Sequence, residues 1–394
     1  MFAILKGIRV LDLSTIVLGP YATQMLGDFG AEIIKIESPA GDLFRTVRPG
    51  RSAKMGAGFI NSNRNKRSLT LNLKSEEGKQ LFYQLAQTAD VVVHNMRNKT
   101  AIKLGIGYDD IKQHNEKIVY CAAQGYGEAG PLSDAPAYDD IIQAASGLAH
   151  LNADAEGNPR YVPTIVADKV AAHQLALAIT GGLIHKFRTG KGCHIETPMF
   201  EGLVSFLMVE QFSNQSFVPS VGGTGYERMR SPYRRPYPTK DGFIALLPYS
   251  TKHWIEFFKL VDHPEFAEWE IVTDPLKRSE NIDQLYAKIL EFTPAWTTQQ
   301  WCELLSKTDI PHTRVNEMDD LLTNEHLQAV EFFQEYDHPT EGALRRVRSP
   351  FTMHGIEQSE DAPTPCLGEA NESLLQELGF DAEAITLLAE KGVI

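Results

Sequence analysis

The segment Ile8–Glu37, IRVLDLSTIVLGPYATQMLGDFGAEIIKIE, decides the fold. Ile8–Leu13 reads as a buried strand, Gly19-Pro20 opens a helix, Gly30 closes it, and Glu32–Glu37 is a second strand. Pro at the first helical position gives up no hydrogen bond, and Gly just past the last turn reaches the left-handed conformation that ends a helix. The product is a β-α-β unit.

The alternation continues downstream. Ser75 starts a helix with Leu81, Phe82 and Leu85 at helical spacing, and Ala89-Asp90-Val91-Val92-Val93-His94-Asn95 is a β-branched strand directly after it. A short helix near Tyr108–His114 precedes a further strand over Lys117–Gly125. Strands alternating with helices predict a Rossmann-like parallel sheet, α/β in class, with ligands beyond the carboxyl ends of its strands. The Ala- and Leu-rich run Asp168–Phe187 reads as a buried helix. Residues 214–235 accumulate Gly, Ser, Pro and Arg without periodicity, which predicts a linker between a large domain over 1–213 and a smaller α+β domain over 236–325. The small domain opens with a hairpin around Lys240-Asp241-Gly242. Residues 326–394, with the amphipathic Glu372–Phe380, are expected to return to the large domain.

The 394 residues carry a net charge of −13, which opposes non-specific binding to nucleic acid and requires any anionic ligand to meet a local basic site. No stretch is long and apolar enough for a membrane helix and the N-terminus lacks a secretory pattern, so a soluble, cytoplasmic protein is expected. The four cysteines form no C-x-x-C pair and the histidines no H-E-x-x-H spacing, so no metal is expected.

Gly125-Tyr126-Gly127-Glu128-Ala129-Gly130 spells G-x-G-x-x-G after a strand and keeps an NAD(P)-dependent oxidoreductase open as an alternative. Its context argues against it, because Pro131–Pro136 follows where a helix must open to receive the pyrophosphate. Arg64, Lys66 and Arg67 form a basic run beside a strand, either a solvated charge run or a phosphate contact. Asp168 stands where a strand-like segment meets a helix; taken alone its position reads as a helix cap, and it also permits a carboxylate presented to a ligand.

Several segments together resemble the class III CoA-transferases, the group of formyl-CoA transferase and carnitine CoA-transferase. They are GIRVLDLS, GAEIIKIESPAGD, NRNKRSLTLNLK, ADVVVHN, LGIGYDDI, QGYGEAGP, YDDIIQAASG and TGKGCHIETPMFEG, in order over roughly the first 200 residues. The resemblance implies a homodimer of two interlocked ring-like chains and makes Asp168 the nucleophile. Its carboxylate would attack an acyl-CoA thioester to give an aspartyl-acyl anhydride and then an aspartyl-CoA thioester, so that CoA passes to a small carboxylic or dicarboxylic acid. At an ordinary pKa that carboxylate is ionised at neutral pH and needs no general base.

The same resemblance implies coenzyme A contacts at Val17 and Leu18, at Asn72, Leu73 and Lys74, at Asn95, Met96 and Arg97, at Lys103, and at Tyr138 and Asp139. Lys74, Arg97 and Lys103 are the expected phosphate partners. The sequence departs from the family at Ser38, where an arginine is usual, at Asn98-Lys99, where Pro-Gly is common, and at Val17, where formyl-CoA transferase has a glutamine. The fold also hosts 2-methylacyl-CoA racemases, whose base histidine corresponds to Tyr138; a phenol of pKa near 10 is a poor base at neutral pH, which favours the transferase.

Overall fold

The computed structural model describes all 394 residues. Six parallel strands form the main sheet: β1 (Arg9–Asp12), β2 (Glu32–Glu37), β3 (Lys66–Thr70), β4 (Val91–His94), β5 (Val119–Gln124) and β6 (Cys193–Pro198). Their spatial order is β3-β2-β1-β4-β5-β6. The chain winds outward in one direction from β1 and then in the other from β4, so the strand order reverses between β1 and β4, the place where sheets of this kind hold a ligand crevice outside the carboxyl ends of their strands.

Successive strand residues point to opposite faces, and both faces are covered. Val10, Val91, Val93, Val119 and Cys121 join one core layer with α1 (Leu18–Asp28), while Leu11, Val92, Tyr120 and Ala122 join a second with α2 (Glu76–Thr88). Beyond β4 and β5 come α3 (Asn98–Lys103) and α4 (Asp139–Ala145). The long α5 (Val166–Thr189) packs on the first layer through Ala171, Leu175, Ile179 and Leu183, and α6 (Met199–Gln211) follows β6.

One local expectation is corrected. The first helix begins at Leu18, so Pro20 is its third residue; Pro is accommodated there because the first four helical N–H groups have no intrahelical partner. Gly30 does lie in the left-handed region, at φ +92°. The edge strand β6 escapes sequence reading because its first four residues alternate partly and fully exposed positions and it has little apolar content.

The chain divides into two compact units, Met1–Leu207 with Phe332–Ile394, and Met208–Glu331. The second unit holds a three-stranded antiparallel sheet of β7 (Tyr237–Pro238), β8 (Phe243–Leu246) and β9 (His312–Arg314), with β7 and β8 joined around Asp241. Its own core is aromatic, built on Trp254, Phe257, Phe258, Tyr286 and Trp301. Within the first unit, the returning chain forms the hairpin β10 (Phe333–His338) and β11 (Gly342–Val347), and Leu374 and Leu375 close the second core layer. No helix is long and apolar enough to cross a membrane.

Candidate active site

Asp168 is the third residue of α5, which Ile165 caps, so its carboxylate does not cap that helix. The capping group comes from elsewhere: the Asp168 N–H donates to Asp139 Oδ1 at 3.0 Å. Asp139 opens α4, and its other oxygen accepts from Gln143 Nε2 at 2.7 Å. Gln143 is fully buried and its Oε1 accepts the Val162 N–H at 2.9 Å, which ties the segment leading into α5 to α4. Asp168 is half-buried beside this assembly, and no donor offsets its burial. The arrangement offers a carboxylate whose oxygens are uncommitted, held next to a second carboxylate that is fully engaged. Gln143 was not singled out in the sequence; the only signal for it is the i, i+4 spacing from Asp139 on one helix.

The residues expected to contact coenzyme A follow the carboxyl ends of the strands but divide by what their side chains do. Val17 and Leu18 are buried where the chain leaves β1 for α1. Asn95 latches the two loops of the crevice, accepting the Thr15 N–H at 2.9 Å and donating to Thr15 O at 2.8 Å. Asn72 is likewise engaged, accepting the Lys74 N–H and donating to Gly392 O. Leu73 and Met96 pack against the second core layer. Lys74, Arg97 and Lys103 are exposed on the segments after β3 and β4. Arg97 contacts only the Asp134 carbonyl, at 3.4 Å. Tyr138, 76 % exposed, precedes α4.

A match to the model of CoA-transferase family III spans residues 5–371. The chain belongs to this family. The transferase is 30% identical to human succinyl-CoA:glutarate CoA-transferase, over 99% of this chain and 90% of that protein. It is 31% identical to succinyl-CoA:mesaconate CoA-transferase of Haloarcula marismortui, over 96% of this chain and 97% of that protein. Its fold matches the crystal structure of a CAIB/BAIF family protein from Brucella suis with a TM-score of 0.81 at 27% identity, covering 96% of this chain and all of that one.

Two expectations about the transferase are corrected by its geometry. Arg64, Lys66 and Arg67 are neither a solvated run nor phosphate ligands. Arg64 holds Asp28 through two hydrogen bonds, and Arg67 bridges Glu32 at 2.6 Å and Glu377 at 2.7 Å. Lys66 is buried, donating to Asp12 Oδ2 at 3.0 Å and to Pro20 O, Thr23 Oγ1 and Asn63 Oδ1 at 2.8 Å each. Burial alone would push the Asp12 carboxyl up, but Lys66 and Lys35 outweigh it and hold it well below the usual carboxylate range.

The second correction concerns Asp168. Burial, and then the adjacent Asp139 carboxylate, push its pKa up to about 7. The group is therefore not the fully ionised carboxylate that an ordinary pKa implies. The loop after β5 also bears on the G-x-G-x-x-G pattern: Gly127 N–H and Glu128 N–H donate to Glu201 and Glu196, and no helix opens before Asp139. The geometry that receives a pyrophosphate is missing there.

Proposed function

We propose that this transferase moves CoA from succinyl-CoA to a dicarboxylic acid, with Asp168 as nucleophile. The observation that carries the mechanism is the uncommitted Asp168 carboxylate in the first turn of α5, beside Asp139. The substrate class is supported by the human and Haloarcula relatives, which are named for transfer from succinyl-CoA to glutarate and to mesaconate, both dicarboxylates.

In this reading an ionised Asp168 oxygen attacks the thioester carbonyl carbon, and collapse of the tetrahedral adduct expels CoA thiolate and leaves a mixed anhydride. Thiolate attacks the aspartyl carbonyl, releasing the donor acid and forming an aspartyl-CoA thioester. The acceptor carboxylate then attacks that thioester and again frees thiolate, which takes the acceptor acyl group and regenerates the Asp168 carboxylate. No proton is gained or lost over the cycle, so no separate general base is required. Each intermediate is open to hydrolysis, which makes exclusion of water part of the design. Lys74, Arg97 and Lys103, with no carboxylate partner, are assigned to the CoA phosphates.

Incubation with succinyl-CoA and hydroxylamine tests the reading. A hydroxamate at Asp168, with loss of activity, is expected; an unmodified Asp168 peptide, or full activity of Asp168→Ala, overturns it. We also assign the transferase a homodimeric state, supported by Leu177, Ile184 and Phe187 of α5, which are 74 %, 51 % and 62 % exposed at helical spacing.

A further inference from the structure

The loop joining β1 to α1 contains a conformation that its sequence disfavours. Ile16 has φ +71°. A β-branched residue in the left-handed region sets its Cβ against its own backbone and persists only where its surroundings enforce it. The enforcing group is Asp42. The Ile16 N–H donates to both Asp42 oxygens, at 3.1 and 3.2 Å. Asp42 is itself fixed by three further bonds: it accepts the Phe44 N–H at 2.9 Å and the Lys35 ammonium at 3.0 Å, and its own N–H donates to Glu37 at 3.0 Å; its side chain is fully buried. Lys35, also fully buried, donates a second bond to Ser14 O at 2.9 Å, two residues before Ile16. The same two charges therefore grip the loop on either side of Thr15, whose backbone is latched in turn to Asn95 across the crevice.

A simpler role for the pair, neutralising charge in the core, does not require this geometry. Glu37, Asp12, Lys66 and Arg45 surround it and form ion pairs of their own. Nothing in charge balance calls for a left-handed isoleucine, or for both oxygens of one carboxylate to share a single backbone N–H.

We infer that Asp42 and Lys35 are positioning residues for acyl-CoA: they hold Ile16 in its left-handed conformation and so set the backbone of Val17 and Leu18 at the mouth of the crevice. The inference rests on the reading that acyl-CoA lies along that crevice. In the free loop, Ile16 would relax to a negative φ and swing the following residues away. The conformation is held by the protein in advance of the ligand, so its loss appears as weaker acyl-CoA binding more than as slower chemistry.

The test is kinetic and uses rescue. Asp42→Asn should raise KM for acyl-CoA about tenfold while changing kcat by less than about threefold. Adding Ile16→Gly, which reaches a positive φ without steric cost, should recover most of that loss, whereas Ile16→Gly alone should stay near the native KM. If Asp42→Asn does not fold with Lys35 left unpaired, Lys35→Met/Asp42→Asn, with and without Ile16→Gly, carries the same comparison. An unchanged KM, or a raised KM that glycine at position 16 fails to restore, overturns the inference. Arg97→Ala and Lys74→Ala separate this failure from failure of the site. If they leave KM for acyl-CoA unaltered, the crevice is not where CoA binds; if they raise it while the Asp42 variants do not, the site stands and the positioning role falls.

Discussion

Asp168 and Asp139 are held together by a hydrogen bond from the backbone of one to the carboxylate of the other, and burial, with the Asp139 charge adding to it, makes the proposed nucleophile hard to ionise. With the Asp168 carboxyl near 7, the ionised fraction rises from about a tenth at pH 6 to about nine-tenths at pH 8. An acidic limb in kcat/KM with a midpoint near pH 7 is therefore expected, and pH–rate profiles check it. Asp139→Asn keeps an oxygen for the Asp168 N–H but removes the like charge, so the same limb should move to lower pH. Stability should respond in the opposite sense to activity. A carboxyl whose pKa is raised on folding binds its proton more tightly in the native state; that contribution is complete below pH 4 and disappears as pH climbs through 7. Asp168→Asn, which never ionises, should thus melt at a higher temperature than the native protein at pH 8 and at nearly the same temperature at pH 4. Calorimetry at the two pH values decides it. Family resemblance pointed to Asp168, but its protonation was not legible, because burial is set by packing and the neighbouring charge comes from Asp139, 29 positions away in the chain.

At the scale of elements, the β1-loop-α1 junction is tightly constrained. A Cβ on Gly19 would sit 2.1 Å from Ser14 Cβ, so the start of α1 can approach the end of β1 only with glycine there. Gly19→Ala should cost about 1–3 kcal/mol and raise KM for acyl-CoA, measured by denaturant titration and initial rates. The buried ladder beneath the junction makes a second expectation. Lys66→Met leaves Asp12 without its nearest cation in a fully buried site and should destabilise by about 3 kcal/mol at neutral pH, read from the same titration. The β-α-β pattern that predicted this region was legible because strand alternation and the closing Gly30 are local signals. The fate of Arg64, Lys66 and Arg67 was not, since Asp28, Asp12, Glu32 and Glu377 reach them only through the sheet and the returning C-terminal helix.

For the whole molecule, the exposed apolar face of α5 is the feature a lone chain leaves uncovered. If a second copy covers it, Leu177→Glu should shift the protein from the mass of two chains toward that of one in light scattering, with loss of activity; an unchanged mass places the interface elsewhere. The sequence alone determined the fold class, the alternation of strands and helices, the second unit's hairpin and the family, since periodicity, turn residues and ordered motifs are properties of neighbours along the chain. Tertiary structure decided which charges are paired, why Ile16 is left-handed, and how readily Asp168 gives up its proton. Those properties depend on burial and on the distance between groups far apart in sequence, and only the packed chain sets either one.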